Sequence, residues 1–308
     1  MKLRDLGALL RLSLLPSAIS DVAAGIVFGN DGRWPAGPGP FFLLASSACV
    51  FHGALALNDW RDREHDARTR PGRPIPSGRV PAGTALAIAC LLFAAGPLLA
   101  LQHAREAAWV SAGLALAAVA YDLFGRGPLL GPALLAACRT GNLGLGLVLG
   151  AGSLADVPHL GARAAPLALY GLYVLRVSQL GRLEDGEQSF SRPRARGLLG
   201  SAALLLALAP FVPPFGAQGP ALEGRVLAAA LGWFGAAGIV RFLFRGEPRD
   251  VPGVERAMGL ALRRLSVFGA VFAALSWSTE RHDGLWVAAA ILFGFVVAAQ
   301  LRRVFPPS

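Results

Sequence analysis

Residues 58–66 read Asn-Asp-Trp-Arg-Asp-Arg-Glu-His-Asp, and residues 67–78 continue Ala-Arg-Thr-Arg-Pro-Gly-Arg-Pro-Ile-Pro-Ser-Gly. This charged stretch lies between two long apolar segments. On a helix, Asn58, Asp62 and Asp66 recur every four residues, so their side chains are expected on one face, with Asp59 beside it. An acidic face followed by arginines is a poor core, but it suits a divalent cation held together with an anionic ligand.

The composition identifies lipid as the solvent around most of the chain. Its 308 residues are 54% hydrophobic and only 16% charged, with a mean hydropathy of +0.52, whereas soluble domains carry about 25% charged residues. Apolar runs long enough to cross a bilayer occur at about 7–28, 40–58, 81–101, 107–124, 129–151, 165–183, 197–215, 223–243, 257–278 and 284–302. The pattern predicts an all-α, polytopic membrane protein.

The basic residues predict how the chain crosses the membrane. The formal net charge is +10, and Lys2 is the only lysine among 29 basic residues. The arginines lie in short connections between apolar runs and not on a soluble surface, which argues against a nucleic-acid partner. The positive-inside rule predicts a cytoplasmic N-terminus and a cytoplasmic 60–80 loop. We therefore expect a multi-pass protein of a bacterial-type inner or plasma membrane, with 7–28 as a first transmembrane helix and not a cleaved signal peptide.

A second polar loop, at 181–196, repeats the pattern of the first. Glu184, Asp185 and Glu187 end an apolar run and arginines follow, about 120 residues and four spans after the first loop. Both loops are therefore expected on one side of the membrane. Solvated ion pairs are the ordinary explanation for one such cluster. Two clusters on one side instead favour Mg²⁺ sites and arginines that neutralise a diphosphate leaving group, below an apolar chamber for an isoprenoid tail.

The order of motifs resembles the UbiA-type membrane prenyltransferases. Residues 58–66 match the family signature NDxxDxxxD, and residues 70–78 resemble its RPxRPIPSG continuation. Arg139-Thr140-Gly141-Asn142 and Tyr121-Asp122 resemble two further family segments. The resemblance covers nearly the whole chain and implies a single UbiA-like domain at 1–308. It implies a bundle of nine transmembrane helices around a central cavity. Because this sequence has ten apolar runs, we expect nine to ten transmembrane helices.

The resemblance also implies an activity and a set of site residues. Such enzymes use Mg²⁺ to move a prenyl group from a prenyl diphosphate to an aromatic or other lipophilic acceptor. Carried onto this sequence, the metal ligands are Asn58, Asp59, Asp62 and Asp66 for one ion, and Glu184 and Asp185 for a second. The diphosphate ligands are Arg70, Arg126 and Arg139, and the catalytic residues are Asp62, Asp66 and Tyr121.

Two departures from the family pattern keep other functions open. The second acidic motif lacks the usual DxxxD spacing, and Gly125, followed by Arg126, replaces a lysine that often follows the tyrosine. The alternative is a non-catalytic prenyl-lipid binding or transport protein that retains the diphosphate cradle. A CDP-alcohol phosphotransferase is set aside, because Asp66-Ala67-Arg68 lacks that family's other acidic residues. The short second loop and the chain's size resemble the EboC-type branch, and Asp21, inside the first run, could pair with Arg11 or Arg139.

Overall fold

A computed structural model describes residues 2–125, 127–150, 163–184, 190–212 and 220–305. In these ranges the chain is helical and has no β-strand. The α-helices are α1 (Leu3–Leu9), α2 (Leu15–Gly29), α3 (Gly39–Arg61), α4 (Arg63–Thr69), α5 (Ala82–Leu101), α6 (Arg105–Phe124), α7 (Leu130–Leu149), α8 (Ala164–Gly181), α9 (Arg192–Leu208), α10 (Leu222–Phe244), α11 (Val251–Leu275) and α12 (Asp283–Val304).

The prediction of a polytopic helical bundle is confirmed. Within the described ranges, nine helical segments are long and apolar enough to cross a membrane. Helix α8 is the tenth long helix and is less apolar, since Arg176 and Gln179 lie among its 18 residues. Each of the ten predicted apolar runs overlaps one long helix. Helix α2 lies at the centre of the bundle, where it packs against α3, α7, α11 and α12.

Proline sets the start of several long helices. Pro16, Pro40, Pro193 and Pro252 occupy the first or second position of α2, α3, α9 and α11. Proline is favoured there because its missing N–H has no partner in a first helical turn and its φ angle already suits a helix. At α11, the carboxylate of Asp250 also caps the helix by accepting the backbone N–H of Gly253 at 2.8 Å.

The run predicted as the first transmembrane helix, 7–28, is divided in the structure, and the part long and apolar enough to cross a membrane is Leu12–Gly29. Helix α1 ends at Leu9, Arg11 takes a left-handed backbone conformation with φ of 47°, and a short 3₁₀ turn at Leu12–Leu14 precedes α2. A left-handed non-glycine residue carries a cost of about 1 kcal/mol or more. The turn at Arg11 places its guanidinium 2.6 Å from the buried carboxylate of Asp59, and this ion pair offsets the strain.

Helices α2 and α7 approach each other closely through glycine. A Cβ on Gly25 would lie 2.5 Å from the carbonyl oxygen of Leu143 and 2.7 Å from the backbone nitrogen of Leu147. A Cβ on Gly146 would lie 2.9 Å from the backbone nitrogen of Ile26, and nearer still to the carbonyl oxygen of Val22. Small residues at such crossings let membrane helices pack backbone to backbone. The α2–α7 pair is therefore tight enough to hold its polar side chains in fixed positions.

We predict that Gly146→Ala destabilises the protein while Gly144→Ala does not. Both changes raise helix propensity by about 1 kcal/mol, but only at Gly146 would the new methyl group meet the backbone of α2. At Gly144 it would meet the Leu167 side chain at 3.6 Å, an ordinary contact. Overpacking costs about 1–3 kcal/mol, so the melting temperature in detergent should fall for Gly146→Ala alone. Equal melting temperatures for the two variants would contradict the close crossing.

Candidate functional site

The stretch at 58–66 forms two helices and not one. Helix α3 ends at Arg61 and α4 begins at Arg63, with Asp62 between them at φ −86° and ψ 5°. The backbone bonds from Asp62 to Asn58 and from Asp66 to Asp62 persist at 2.9 and 2.8 Å. The predicted single acidic face is nevertheless divided. Asn58 and Asp62 face α6, whereas Asp66 pairs with an arginine beside Asp59.

One half of the divided stretch is a buried ion-pair network. Asp59 and Asp66 are each only 2% exposed. The Arg73 guanidinium lies 2.6 Å from Asp66 and 3.5 Å from Asp59, and Arg11 lies 2.6 Å from the same Asp59 oxygen. Buried carboxylates in an apolar bundle need such partners, because an unpaired buried charge costs several kcal/mol. This network binds the 60–80 loop to α3 and to the turn before α2.

The other half brings α3 together with α6. The Asn58 amide donates to Asp62 at 3.5 Å and to Asp122, near the end of α6, at 3.4 Å. Asp122 is 4% exposed, and its Oδ2 atom makes no hydrogen bond within the described residues. An orphaned carboxylate oxygen inside a polar cluster favours a cation as its missing partner. The cluster supplies two carboxylates and one amide, and rotation of that amide would present its oxygen.

The loop that follows α8 contacts the same end of α6. Arg182 donates a hydrogen bond to the carbonyl of Gly125, directly after α6. A short 3₁₀ helix, Arg182–Glu184, directly follows α8, so the half-buried Glu184 lies at the C-terminal end of α8. The C-terminal end of α6 thus lies between the two predicted acidic loops. Asp185 lies outside the described residues, so its placement as a metal ligand stays a prediction.

A cavity of about 660 Å³ opens beside the ion-pair network. Ligand sites commonly enclose ~300–1,000 Å³. Its apolar lining includes Leu14, Phe51, Leu262, Leu265 and Phe295, and its charged lining consists of Arg11, Arg73, Arg139, Arg263 and Arg302. No carboxylate lines it among the described residues. The cavity therefore combines an apolar interior with a positive wall, as an anionic amphiphile requires.

Arg139 enters this cavity from the centre of the bundle. Its guanidinium lies 3.0 Å from Asp21, and the Tyr170 hydroxyl donates to Asp21 at 2.7 Å. Of the two partners considered for Asp21, the structure selects Arg139. The guanidinium also lies over the Phe51 ring, 5.7 Å from its centroid. Within the described residues, the Nε atoms of Arg139 and Arg73 are buried and make no hydrogen bond, so each guanidinium retains a donor.

The other predicted residues lie in different surroundings. Arg70 is exposed and stands outside the cavity lining, although it is three residues from Arg73. Arg126 lies outside the described residues. Tyr121 lines a second cavity of about 190 Å³, together with Gly181 and Arg182. The two cavities share Leu135, Val174, Leu262 and Leu265 as lining residues, so they adjoin.

The residues present fit a magnesium ion, but in a different set from the predicted one. In the described ranges, no three His, Cys, Asp or Glu side chains come close enough to hold a metal by themselves. Asn58, Asp62 and Asp122 form a hard oxygen-donor set of the kind that Mg²⁺ binds with water and substrate phosphates. Asp59 has one oxygen paired with arginine, while its other oxygen, Oδ2, makes no hydrogen bond in the described structure.

Three residues that the structure brings to the site, Asp122, Arg11 and Arg73, were not among the predicted site residues. Asp122 ends an apolar run, so the argument applied to Asn58, that polar groups at a membrane edge are functional candidates, would have identified it. Arg11 and Arg73 carry no such signal. Whether Arg70 or Arg73 turns inward depends on the fold of the 67–80 loop, where Ser77 and Val80 bond back to Arg73 and Pro74.

Comparisons with known proteins identify the family of the chain. The sequence model of the UbiA prenyltransferase family matches residues 22–263. A digeranylgeranylglyceryl phosphate synthase from Ignicoccus hospitalis is 40% identical over 100 residues, which is 32% of each chain. The 33 kDa chain of bacteriochlorophyll synthase from Cereibacter sphaeroides is 42% identical over 64 residues, 20% of this chain and 21% of that one. The matched segments thus span about a third or less of these relatives.

Solved structures share the fold. A UbiA homologue from Archaeoglobus fulgidus, bound to GPP and Mg²⁺, superposes with a TM-score of 0.64 at 15% identity and covers 92% of this chain and 99% of its own. An apo UbiA homologue from Aeropyrum pernix K1 gives 0.59 at 17% identity, over 83% and 96% of the two chains. At these identities the likeness shows the fold alone.

We predict that Arg73→Gln destabilises the protein and that Arg70→Gln has little effect. Removing the Arg73 charge leaves Asp66 buried without its 2.6 Å partner, and breaking a buried pair in this way costs about 3–5 kcal/mol. Arg70 is exposed, where substitutions usually change stability by less than about 0.5 kcal/mol. Melting temperatures of the two purified variants in the same detergent test the difference. A larger fall in melting temperature for Arg70→Gln than for Arg73→Gln would contradict the pairing of Arg73 with Asp66.

Proposed function

The chain belongs to the UbiA prenyltransferase family, and we propose on that basis that it is an integral-membrane prenyltransferase. It would take a prenyl diphosphate as donor and a lipophilic molecule as acceptor, with Mg²⁺ as cofactor. The proposal takes residues 1–308 as one domain and places the N-terminus and both acidic loops in the cytoplasm. The branch of the family stays a prediction from the sequence.

The observation that carries the proposal is the arginine wall of the 660 Å³ cavity next to the Asn58–Asp62–Asp122 cluster. Arg73 and Arg139 each keep a buried Nε donor without a partner in the described structure. Guanidinium groups bind phosphate oxygens through short, charge-assisted hydrogen bonds. A diphosphate held there would place its prenyl tail among the apolar side chains that line the rest of the cavity.

Asn58, Asp62 and Asp122 are the residues that would hold Mg²⁺, and Glu184 and Asp185 are proposed for a second ion. When bound, Mg²⁺ would neutralise negative charge on the diphosphate oxygens. The A. fulgidus homologue has been solved with Mg²⁺ and either GPP or DMAPP, which supports the same pairing of metal and donor for this chain. Asp59 and Asp66 would act mainly by holding Arg11 and Arg73 in position.

The chain's own residues account for the rest of the reaction. The C–O bond between the prenyl group and the diphosphate breaks, a bond forms to the acceptor, and the acceptor loses a proton. Arg73 and Arg139 would stabilise the charge that builds on the leaving diphosphate. Phe51, Leu262 and Leu265 would keep water from the electron-poor prenyl carbon. Tyr121, which lines the adjoining cavity, is the residue proposed to contact the prenyl group and the acceptor.

We predict that Asp62→Asn and Asp122→Asn each lower Mg²⁺-dependent prenyl transfer by at least about a hundredfold, a loss typical for removing one electrostatic group from a charged transition state. Glu64→Gln is the matched control, since its side chain is 80% exposed beside Arg63 in the same segment. Transfer of radiolabelled prenyl groups by membranes that contain each variant measures the effect. Full activity of the Asp122→Asn variant would contradict the proposal that Asp122 of α6 is a Mg²⁺ ligand.

The same preparations separate an enzyme from a binding protein. An enzyme releases one pyrophosphate for each prenyl group transferred, whereas a non-catalytic carrier binds GPP with Mg²⁺ and releases none. A coupled pyrophosphate assay, run beside a GPP-binding assay on the same protein, distinguishes the two. Binding without release, in the presence of an acceptor that the membrane extract supplies, would favour the carrier.

A further inference from the structure

Asp21 is a carboxylate inside the membrane helix α2 that has no part in the chemistry described so far. It is 1% exposed and is contacted from two neighbouring helices. The Tyr170 hydroxyl of α8 donates to its Oδ1 atom at 2.7 Å, and Nη2 of Arg139 in α7 lies 3.0 Å from its Oδ2 atom. Arg139 lines the cavity, whereas the described lining includes neither Asp21 nor Tyr170. Both residues can therefore affect a ligand in that cavity only through Arg139.

The pairing of Arg139 with Asp21 is incomplete. A guanidinium and a carboxylate commonly form a two-pronged pair, in which two parallel N–H groups donate to the two oxygens. Here, Nη2 of Arg139 donates instead to the carbonyl and the hydroxyl of Ser17, at 3.3 and 3.1 Å. Asp21 Oδ2 accepts no hydrogen bond within the described structure. Asp21 thus compensates the charge of Arg139 without holding its guanidinium in a two-pronged pair.

Tyr170 accounts for this open arrangement. Its hydroxyl occupies Oδ1, which is one of the two oxygens that a two-pronged pair requires. The Tyr170 ring is 1% exposed and packs edge-on against Phe268, with 5.4 Å between the ring centroids. A ring enclosed in this way cannot move its hydroxyl away from the carboxylate. Oδ2 is then the oxygen of Asp21 that remains for Arg139.

The rest of the contact between α2 and α7 does not depend on a two-pronged pair. Ser17 and Asp21 are four residues apart and share a face of α2, and Arg139 and Asn142 are three apart on α7. The Asn142 amide donates to the carbonyl of Ala18 at 2.9 Å. Together with the close glycine crossing of the two helices, these bonds hold the backbone of Arg139 beside α2. The direction of the guanidinium is therefore decided by its side-chain partners.

We propose that Tyr170 is a positioning residue for the donor diphosphate. By occupying Asp21 Oδ1, its hydroxyl prevents Arg139 from closing on Asp21 with two nitrogens, and so keeps the remaining N–H groups of Arg139 available to the diphosphate. This inference rests on the proposed prenyltransferase function. Without the hydroxyl, Oδ1 would be a buried acceptor with no donor, which is costly in an apolar interior. The guanidinium would then turn toward both oxygens and away from the cavity.

The test compares Tyr170→Phe with Tyr173→Phe in the full chain, in phosphatidylcholine nanodiscs, with GPP and Mg²⁺. Tyr173 is a close match, because it lies one turn later on α8, is 0% exposed and also packs against Phe268. Its hydroxyl donates to the Ala261 carbonyl at 2.8 Å, so each variant loses one buried hydrogen bond. Tyr170→Phe should weaken GPP binding at least about tenfold, as expected for losing a charge-assisted hydrogen bond to phosphate. Tyr173→Phe should change it by less than about twofold.

A second comparison asks whether Tyr170 acts through Arg139. Arg139→Lys keeps the charge beside Asp21 but has no planar fork that could close on both oxygens. In this background, Tyr170→Phe should change GPP affinity by less than about twofold. The same tenfold loss in both backgrounds, or an equal loss in Tyr173→Phe, would overturn the positioning role. A purely structural role would instead lower the melting temperature of Tyr170→Phe and act independently of Arg139.

A structure of ligand-free Tyr170→Phe tests the inference without any substrate. Two nitrogens of Arg139 should lie within about 3.2 Å of the two Asp21 oxygens, and a guanidinium unchanged from the parent would overturn the inference. Failure of the parent to bind GPP would count against the proposed function, and this structure would still decide the role of Tyr170. If Tyr170→Phe does not fold, Asp21→Asn and Asp21→Asn/Tyr170→Phe replace it. Asparagine has one acceptor oxygen and cannot form the two-pronged pair, so a GPP affinity that differs tenfold between these two variants would overturn the inference.

Discussion

An apolar bundle can bury a carboxylate only beside a cation, and this constraint governs the inner half of the protein. Asp21, Asp59 and Asp66 are each 1–2% exposed, and each lies within 3.0 Å of an arginine nitrogen. Two of the pairs join segments that are distant in sequence, α2 with α7 and the turn before α2 with α3, and the third joins α4 to the loop that directly follows it. These buried ion pairs therefore hold the segments that they join in fixed relative positions.

The same pairs leave the cavity with a usable surface. A guanidinium has five N–H donors in a planar fork, and one carboxylate engages only part of it. Arg73 pairs with Asp66 and Arg139 pairs with Asp21, and both guanidinium groups line the cavity, where their remaining N–H groups are available to a ligand. Each carboxylate thus compensates the charge of an arginine and also fixes its direction. Arg263 and Arg302 line the same cavity but have no carboxylate partner in the described structure, so no ion pair there fixes the direction of their guanidinium groups.

The sequence predicted the features that depend on local pattern. Hydropathy located the ten long helices of the described ranges. Four-residue spacing identified Asn58, Asp62 and Asp66 as a polar group at the end of an apolar run. It could not predict the break at Asp62, the turn at Arg11 or the inward direction of Arg73. Those features depend on which distant segments pack together: Asp122 of α6 attracts Asn58, and Asp59 attracts Arg11. Periodicity describes one helix at a time and carries no information about such partners.

The break at Asp62 changes how the acidic stretch is understood. A continuous helix would present Asn58, Asp62 and Asp66 to a single ion. Because α3 ends at Arg61, the residues before the break face α6 and its orphaned Asp122 oxygen, while Asp66 faces Arg73. One short sequence thereby supplies an oxygen-donor cluster and a positioned guanidinium side by side, which are the two opposite charges that a metal–diphosphate pair needs. Asp66 and Arg73 compensate each other's charge, whereas Asp122 keeps a carboxylate oxygen that makes no hydrogen bond in the described structure.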